Sequence, residues 1–188
     1  MPIPKEAGTL GMPWEQSYGY AQAVRVGDTI WVSGQLSHDN EGNIVGPAPV
    51  DAQGQILDHG NMRIQMAQCY ANARKMLAQY GATLDNVVEE VLYVTDMDAA
   101  FAVAGAVRAE AYGGRPVVAS TILVTPRLAF PSCGIGSSGV LGGAVSENGR
   151  IGNIRATAPL RRPAGGPRNP SVPLAERRTP RDFDRTPR

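Results

Sequence analysis

The chain has 188 residues, 43% hydrophobic and 19% charged, a composition that fits one globular domain with an extension. No apolar run approaches the roughly 18 residues a membrane helix needs, and residues 1–11 lack the charged-then-apolar pattern of a secretory leader, so a cytoplasmic protein without membrane contact is expected. The net charge of +1 hides a division: residues 1–131 hold 8 Lys/Arg against 13 Asp/Glu, whereas residues 132–188 hold 10 Arg against 4 acids, which marks two segments of different character.

Residues 1–17 read as an irregular N-terminal arm, because Pro2, Pro4 and Pro13 interrupt regular structure. Two β-rich runs, 20–26 and 29–33, flank Gly27-Asp28 and predict a hairpin with a primed turn. Residues 36–60 are rich in Gly, Asp, Asn and Pro and predict a loop, with a short strand near Ile44-Val45. The clearest helix covers 61–80, where Met62, Met66, Cys69, Ala73, Met76 and Tyr80 form one stripe and Gln65, Gln68 and Arg74 lie among the polar positions. Asn61 is its candidate cap and Gly81 its terminator. A strand over 87–95, an Ala-rich helix over 98–112 ending at Gly113-Gly114, and a strand over 117–124 complete the pattern. The order β-β-α-β-α-β predicts an α+β domain, one mixed sheet with two helices packed on one face. The apolar strands suggest that a neighbouring subunit covers the other face.

Three collinear stretches then carry a family resemblance. Tyr20–Gln35 (YAQAVRVGDTIWVSGQ), Gly81–Val88 with Val91–Met97, and Arg115-Pro116 through Ala119-Ser120-Thr121 to Pro126–Pro131 (PRLAFP) resemble the Rid family of the YjgF type, named for reactive-intermediate deamination. The resemblance covers 18–131. It implies a chorismate-mutase-like α+β fold that assembles as a homotrimer, with small-molecule ligands in clefts between subunits. The implied activity is hydrolysis of reactive enamines and imines to a keto acid and ammonia, with an arginine on the substrate carboxylate and an ordered water attacking the imine carbon. A planar guanidinium suits that task because it makes two parallel charge-assisted hydrogen bonds.

Carried onto this chain, the resemblance places the family's tyrosine and serine on Tyr20 and Ser33. Its arginine falls on Ser120, its asparagine at or near Gly105, and its glutamate near Ile135, so the three polar groups are replaced. Arg115 and Arg127 are candidates to replace the lost cation, and His38, just past Ser-Gly-Gln, is a candidate acid or base at the lip of the cleft. These seven residues other than Ile135 are the expected cleft lining; none is assigned as catalytic. Cys69 and Cys133 read as free thiols without metal-ligand spacing to His38 or His59, so neither a metal nor another cofactor is expected. Three functions stay open: an enamine/imine hydrolase, a non-catalytic metabolite binder of regulatory or chaperone-like role, and an RNA-binding protein or ribonuclease using the basic tail. The tail's single aromatic, Phe183, gives nucleic acid little to stack on.

Other features read more plainly. Gly134–Gly139 matches G-x-G-x-x-G, but Gly142-Gly143 spoil the helix a dinucleotide site needs, so a flexible loop is expected. Glu89 and Glu90 are neighbours on a strand and point to opposite faces, one towards solvent and the other towards an interface. Trp31 reads as a core or interface residue. From 132 the strand pattern fades into a Gly/Ser run, with any last strand over 132–141 atypical, and residues 142–188, where RTPR occurs twice, read as a disordered Gly/Pro/Arg-rich extension. The coincident loss of strand pattern and glutamate suggests an altered terminus, for example by a reading-frame shift. The nucleotide sequence checks this: another frame after codon 131 should encode an alternating apolar strand, and finding none contradicts it.

Overall fold

The structure, a computed structural model, describes residues 1–142. The extension expected over 142–188 lies, from 143 on, outside the described residues. In chain order the elements are β1 (Glu6–Gly8), α1 (Pro13–Tyr18), β2 (Ala23–Val26), β3 (Thr29–Leu36), α2 (Met62–Ala78), β4 (Glu89–Val94), α3 (Met97–Tyr112), β5 (Ala119–Val124) and β6 (Ile135–Gly142). The strands form one six-stranded sheet in the order β1-β2-β3-β6-β4-β5. Only β4 and β5 pair in parallel, joined by the crossover helix α3, so the sheet is mixed. Both long helices lie on one face, as the periodicity predicts. Strand alternation sends Ile30, Val32, Leu92, Val94 and Ile135 into that helical layer, where they pack with Met66, Met76, Leu77, Ala100, Ala104 and Val107. The opposite face shows Trp31, Tyr93 and Leu123 to solvent, so Trp31 is not a core residue.

The sheet extends beyond the expected domain at both ends. The first seventeen residues are not irregular: they contain β1 and most of α1. Pro13, counted as a breaker, starts α1, where its missing N–H is no loss. After Pro131 the atypical last strand allowed over 132–141 does form, and the flexible-loop reading of Gly134–Gly139 is overturned. Residues read as a fading pattern, including the G-x-G-x-x-G run, form β6 at the sheet's centre, paired antiparallel with β3 on one side and β4 on the other. Two ladders satisfy its backbone groups, and tertiary pairing of this kind outweighs the low strand propensity of Gly and Ser.

The hairpin is as expected, with Val26 opposite Thr29 and Gly27 at φ 56, a conformation a side chain disfavours. Isolated bridges join His38 to Ile44 and Val50 to Ile56 across the long loop. Asn61 does not cap α2; its side-chain amide donates to the Pro47 carbonyl at 2.8 Å and ties down the loop instead. Cys69 and Cys133 are buried free thiols, and burial pushes the Cys133 thiol up to about 11.

Glu90 faces the helices rather than an interface. Its carboxylate, 6% exposed, accepts hydrogen bonds from Arg108 Nε at 2.6 Å, Tyr70 at 2.9 Å and Tyr112 at 3.3 Å. Burial first, then the Glu90 charge, push both phenols well above their ordinary range, so they remain donors. This cluster joins both helices to β4. Arg108→Ala would strand the buried carboxylate, and we expect urea denaturation to show a loss of about 3 kcal/mol. A loss no larger than that of an exposed ion pair would contradict this role for the cluster.

Candidate functional site

Three polar side chains of α2, unremarkable on a helical wheel, organise the irregular segments around the sheet's edge. Gln65 is buried; its amide nitrogen donates to the carbonyls of Gly46 and Ser132, both at 2.8 Å, and its oxygen accepts from the Gly134 N–H at 2.7 Å. Asn72 donates to the carbonyls of Leu36 and His38, both at 2.9 Å, and Gln68 also reaches His38 at 3.0 Å. Unpaired carbonyls in a buried loop are costly, and these amides satisfy them while fixing where β3 ends and β6 begins.

Beside these segments lies a cavity of about 440 Å³. Its walls are largely apolar and aromatic: Trp14 and Tyr18 from α1, Leu36, Tyr93, and Leu128 and Phe130 from the segment after β5. Trp14 meets His38 edge-on at 5.2 Å and Phe130 at 5.3 Å between ring centroids. Gly42 permits that position, because a Cβ there would come within 3.2 Å of the indole and its φ of 88 is left-handed.

Tyr20, Ser33 and His38 all line this cavity, and their hydrogen bonds give it a defined polarity. Gln35 donates to the Gln22 carbonyl oxygen at 3.0 Å, and Gln22 in turn donates to the Tyr20 hydroxyl at 3.3 Å. Tyr20 therefore accepts from behind and keeps its own proton to donate. Burial first, then the Glu15 charge, raise its pKa, so it stays a phenol. Ser33 donates to the Ala21 carbonyl at 2.8 Å. His38, expected at the lip of the cleft, is only 3% exposed. Its Nδ1 lies 2.8 Å from the Asp39 carbonyl, which can only accept, so in the neutral ring Nδ1 carries the proton and Nε2 the lone pair. A donor on Tyr20 and an acceptor on His38 thus share one apolar chamber. Among the described residues, its lining includes neither Lys nor Arg.

The other sequence candidates are not brought here. Ser120 sits on β5 in register with Glu90, on the helical side, and accepts a hydrogen bond from Arg108. Gly105 is an exposed residue of α3 with open space around it, and Arg115 is exposed in the loop after α3. Arg127 lines a separate, smaller cavity with His59. Ile135 is fully buried in the core, and Gly136 beside it lines the chamber, so no carboxylate stands where the family glutamate was sought. Sequence reasoning missed Trp14, Gln22 and Phe130. A signal for the first existed: Glu15 follows Met12 by three residues and accepts its N–H at 3.0 Å, half of a capping box that starts α1 and positions Trp14. Among the described residues no group of side chains suits a metal ion, and no helix is long and apolar enough to cross a membrane.

A mixed sheet backed by two long helices, with an additional short helix roofing an aromatic chamber, defines an α+β protein of the chorismate-mutase-like type. Known proteins agree. The sequence profile of the family described as Endoribonuclease L-PSP matches residues 14–129, and the chain belongs to this family, the YjgF or Rid group. A RutC family protein of Sulfurisphaera tokodaii is 26% identical over 106 residues, 56% of this chain and 74% of the relative. Another, from Pyrococcus abyssi, is 29% identical over 79 residues, 42% of this chain and 53% of the relative. Among solved structures, a Mycobacterium tuberculosis member of the YjgF/YER057c/UK114 family superposes with a TM-score of 0.56 at 24% identity, covering 73% of this chain and 98% of its own. A Rid family protein of Yersinia pestis gives 0.58 at 19% identity, covering 74% and 99%.

The roof has a pH limit. Burial works against the Glu15 charge, but hydrogen bonds from Thr9, Met12, Leu10 and Gln22 outweigh it and hold the carboxyl below its ordinary range. A depressed folded pKa adds stability above the unfolded value of about 4.3 and loses it as pH falls through the folded pKa. In a Trp31→Phe background, Trp14 fluorescence should change on acidification below that value, and Glu15→Gln should abolish the step. An unchanged step in Glu15→Gln would contradict the role assigned to this carboxylate.

Proposed function

We propose that this chain is a Rid-type hydrolase of a small reactive imine or enamine, released as ammonia and a carbonyl product, with the Trp14–Tyr20–His38 chamber as its site. The observation that carries this reading is the pairing of a directed donor and a free acceptor inside an apolar cavity. The Tyr20 hydroxyl would hydrogen-bond the imine nitrogen, and His38 Nε2 would accept a proton from the water that adds to the imine carbon. His38 returns that proton to the nitrogen, giving the carbinolamine, and then relays the carbinolamine hydroxyl proton to the nitrogen as the C–N bond breaks, expelling ammonia and leaving the C=O bond. With its mouth closed by a neighbouring subunit, an aromatic chamber of this kind would strengthen both hydrogen bonds.

Without a lysine or arginine among the described lining residues, the chamber suits an uncharged imine better than an imino acid. A missing bidentate clamp forgoes about 2–5 kcal/mol of carboxylate binding. The same feature disfavours RNA, whose affinity rests on phosphate contacts. The exposed apolar side chains of the open sheet face, Trp31, Tyr93 and Leu123, support assembly into a homotrimer in which a neighbour closes the chamber's mouth. That the described lining residues include no carboxylate favours one alternative, a non-catalytic metabolite binder using the same chamber.

Freshly generated uncharged imines and imino acids, followed by ammonia release, decide between these. Turnover should favour the uncharged imine and fall about 100-fold in His38→Ala and Tyr20→Phe. Thermal stabilisation by the carbonyl product without any ammonia release would support the binder, and turnover untouched by both substitutions would contradict the proposed site.

A further inference from the structure

A second cavity, of about 200 Å³, lies between the loop that precedes α2 and the segment that follows β5. Its polar lining is Arg127, His59, Thr95, Gln53 and Gln55, with Pro126 and Pro131 among the apolar residues. Nothing in the proposed hydrolysis uses these groups. We propose that this cavity is a binding site for a short-chain monocarboxylate, distinct from the Tyr20–His38 chamber and independent of whether that chamber is catalytic.

The charge and hydrogen-bond pattern supports a carboxylate. Arg127 is exposed and makes no ion pair among the described residues, whereas Arg25, Arg63 and Arg108 each have an acidic partner. Its planar fork fits a carboxylate through two parallel hydrogen bonds. The Thr95 hydroxyl donates to the Gly134 carbonyl at 3.3 Å, and its oxygen lies 3.1 Å from His59 Nε2, which then donates to it. That contact holds the ring at the cavity wall. The two glutamine amides add neutral donors. The loop also carries Asp51 and Asp58, but their carboxylates are engaged by backbone N–H groups, Asp51 with Gln53 and Gln55, Asp58 with Gly60. The remaining negative charge of these acids opposes a dianion more strongly than a monoanion, which favours a carboxylate over phosphate. The volume excludes a nucleotide.

The two cavities share a wall. Pro126, Arg127 and Pro131 face the smaller one, while Leu128, Ala129 and Phe130 face the larger, so the Pro126–Pro131 segment separates them. Gly54 packs on Pro131 as well, within 3.4 Å of where a Cβ would stand. A carboxylate drawn onto Arg127 therefore bears on the segment that positions Phe130 against Trp14.

Titration of the full chain with propionate, followed by backbone amide NMR, tests this. Shifts should centre on Arg127, His59 and Gln53–Gln55, with a smaller response at Phe130 and Trp14. Arg127→Gln should weaken binding by roughly tenfold and Arg127→Lys by less, because a point charge keeps the attraction but not the fork. Both variants should keep the parent's thermal midpoint, since Arg127 is exposed. Inorganic phosphate should compete poorly. Shifts confined to the Tyr20–His38 chamber, no shifts at all, equal binding by Arg127→Gln, or phosphate binding as tightly as propionate would each overturn the assignment.

Discussion

One buried amide sets the terms for the rest of this molecule. Gln65 of α2 donates to Gly46 and Ser132 and accepts from Gly134, so a single side chain joins the long loop after β3 to the entry of β6. A buried amide left without partners costs about 1–3 kcal/mol, and here three backbone groups would lose theirs as well. The bond matters most because of where β6 lies. A strand of low intrinsic propensity occupies the centre of the sheet, and its first residues are delivered to β3 and β4 by this anchor. Asn72 and Gln68 extend the arrangement by holding Leu36 and His38, so the sheet's register and the position of the chamber's histidine come from the same helix.

The chamber inherits its chemistry from that framework. Polarity within it is directional: the chain of donors from Gln35 through Gln22 ends on Tyr20 and leaves the phenol proton pointing outward from the chain of amides. His38 has the complementary character because the Asp39 carbonyl engages its Nδ1 proton. Neither property depends on a formal charge. Carboxylate recognition and imine chemistry are separable demands, and in this chain the cationic Arg127 stands on the far side of the segment that walls the chamber.

Periodicity made the regular part of the fold legible. The stripe from Met62 to Tyr80, the Gly27 turn and the crossover helix after β4 could all be read from apolar spacing and turn chemistry, and the family motifs brought Tyr20, Ser33 and His38 to notice. Two kinds of feature were not legible. Gln65 and Asn72 flank the apolar stripe, three residues after Met62 and Cys69, but the partners that bury them are loop carbonyls distant in sequence, which helical spacing does not reveal. Ser120 and β6 show the second limit: strand parity decides which face a residue serves, and Ser120, where the resemblance puts the family's arginine, shares the helical side with Glu90. β6 forms because two neighbours supply its ladder, which local propensity does not register. Pro13 misled for a related reason, since a residue that stops one helix can start another.

The central claim is that an uncharged carbon–nitrogen or carbon–oxygen double bond binds in the chamber with its heteroatom on Tyr20. A crystal structure of the chain with isobutyramide, an unreactive neutral mimic, addresses it directly. The amide oxygen should lie about 2.7–3.0 Å from the Tyr20 hydroxyl, with the isopropyl group against Trp14 and Phe130. A chamber left empty while the amide binds elsewhere, or an amide whose oxygen turns away from Tyr20, would contradict it.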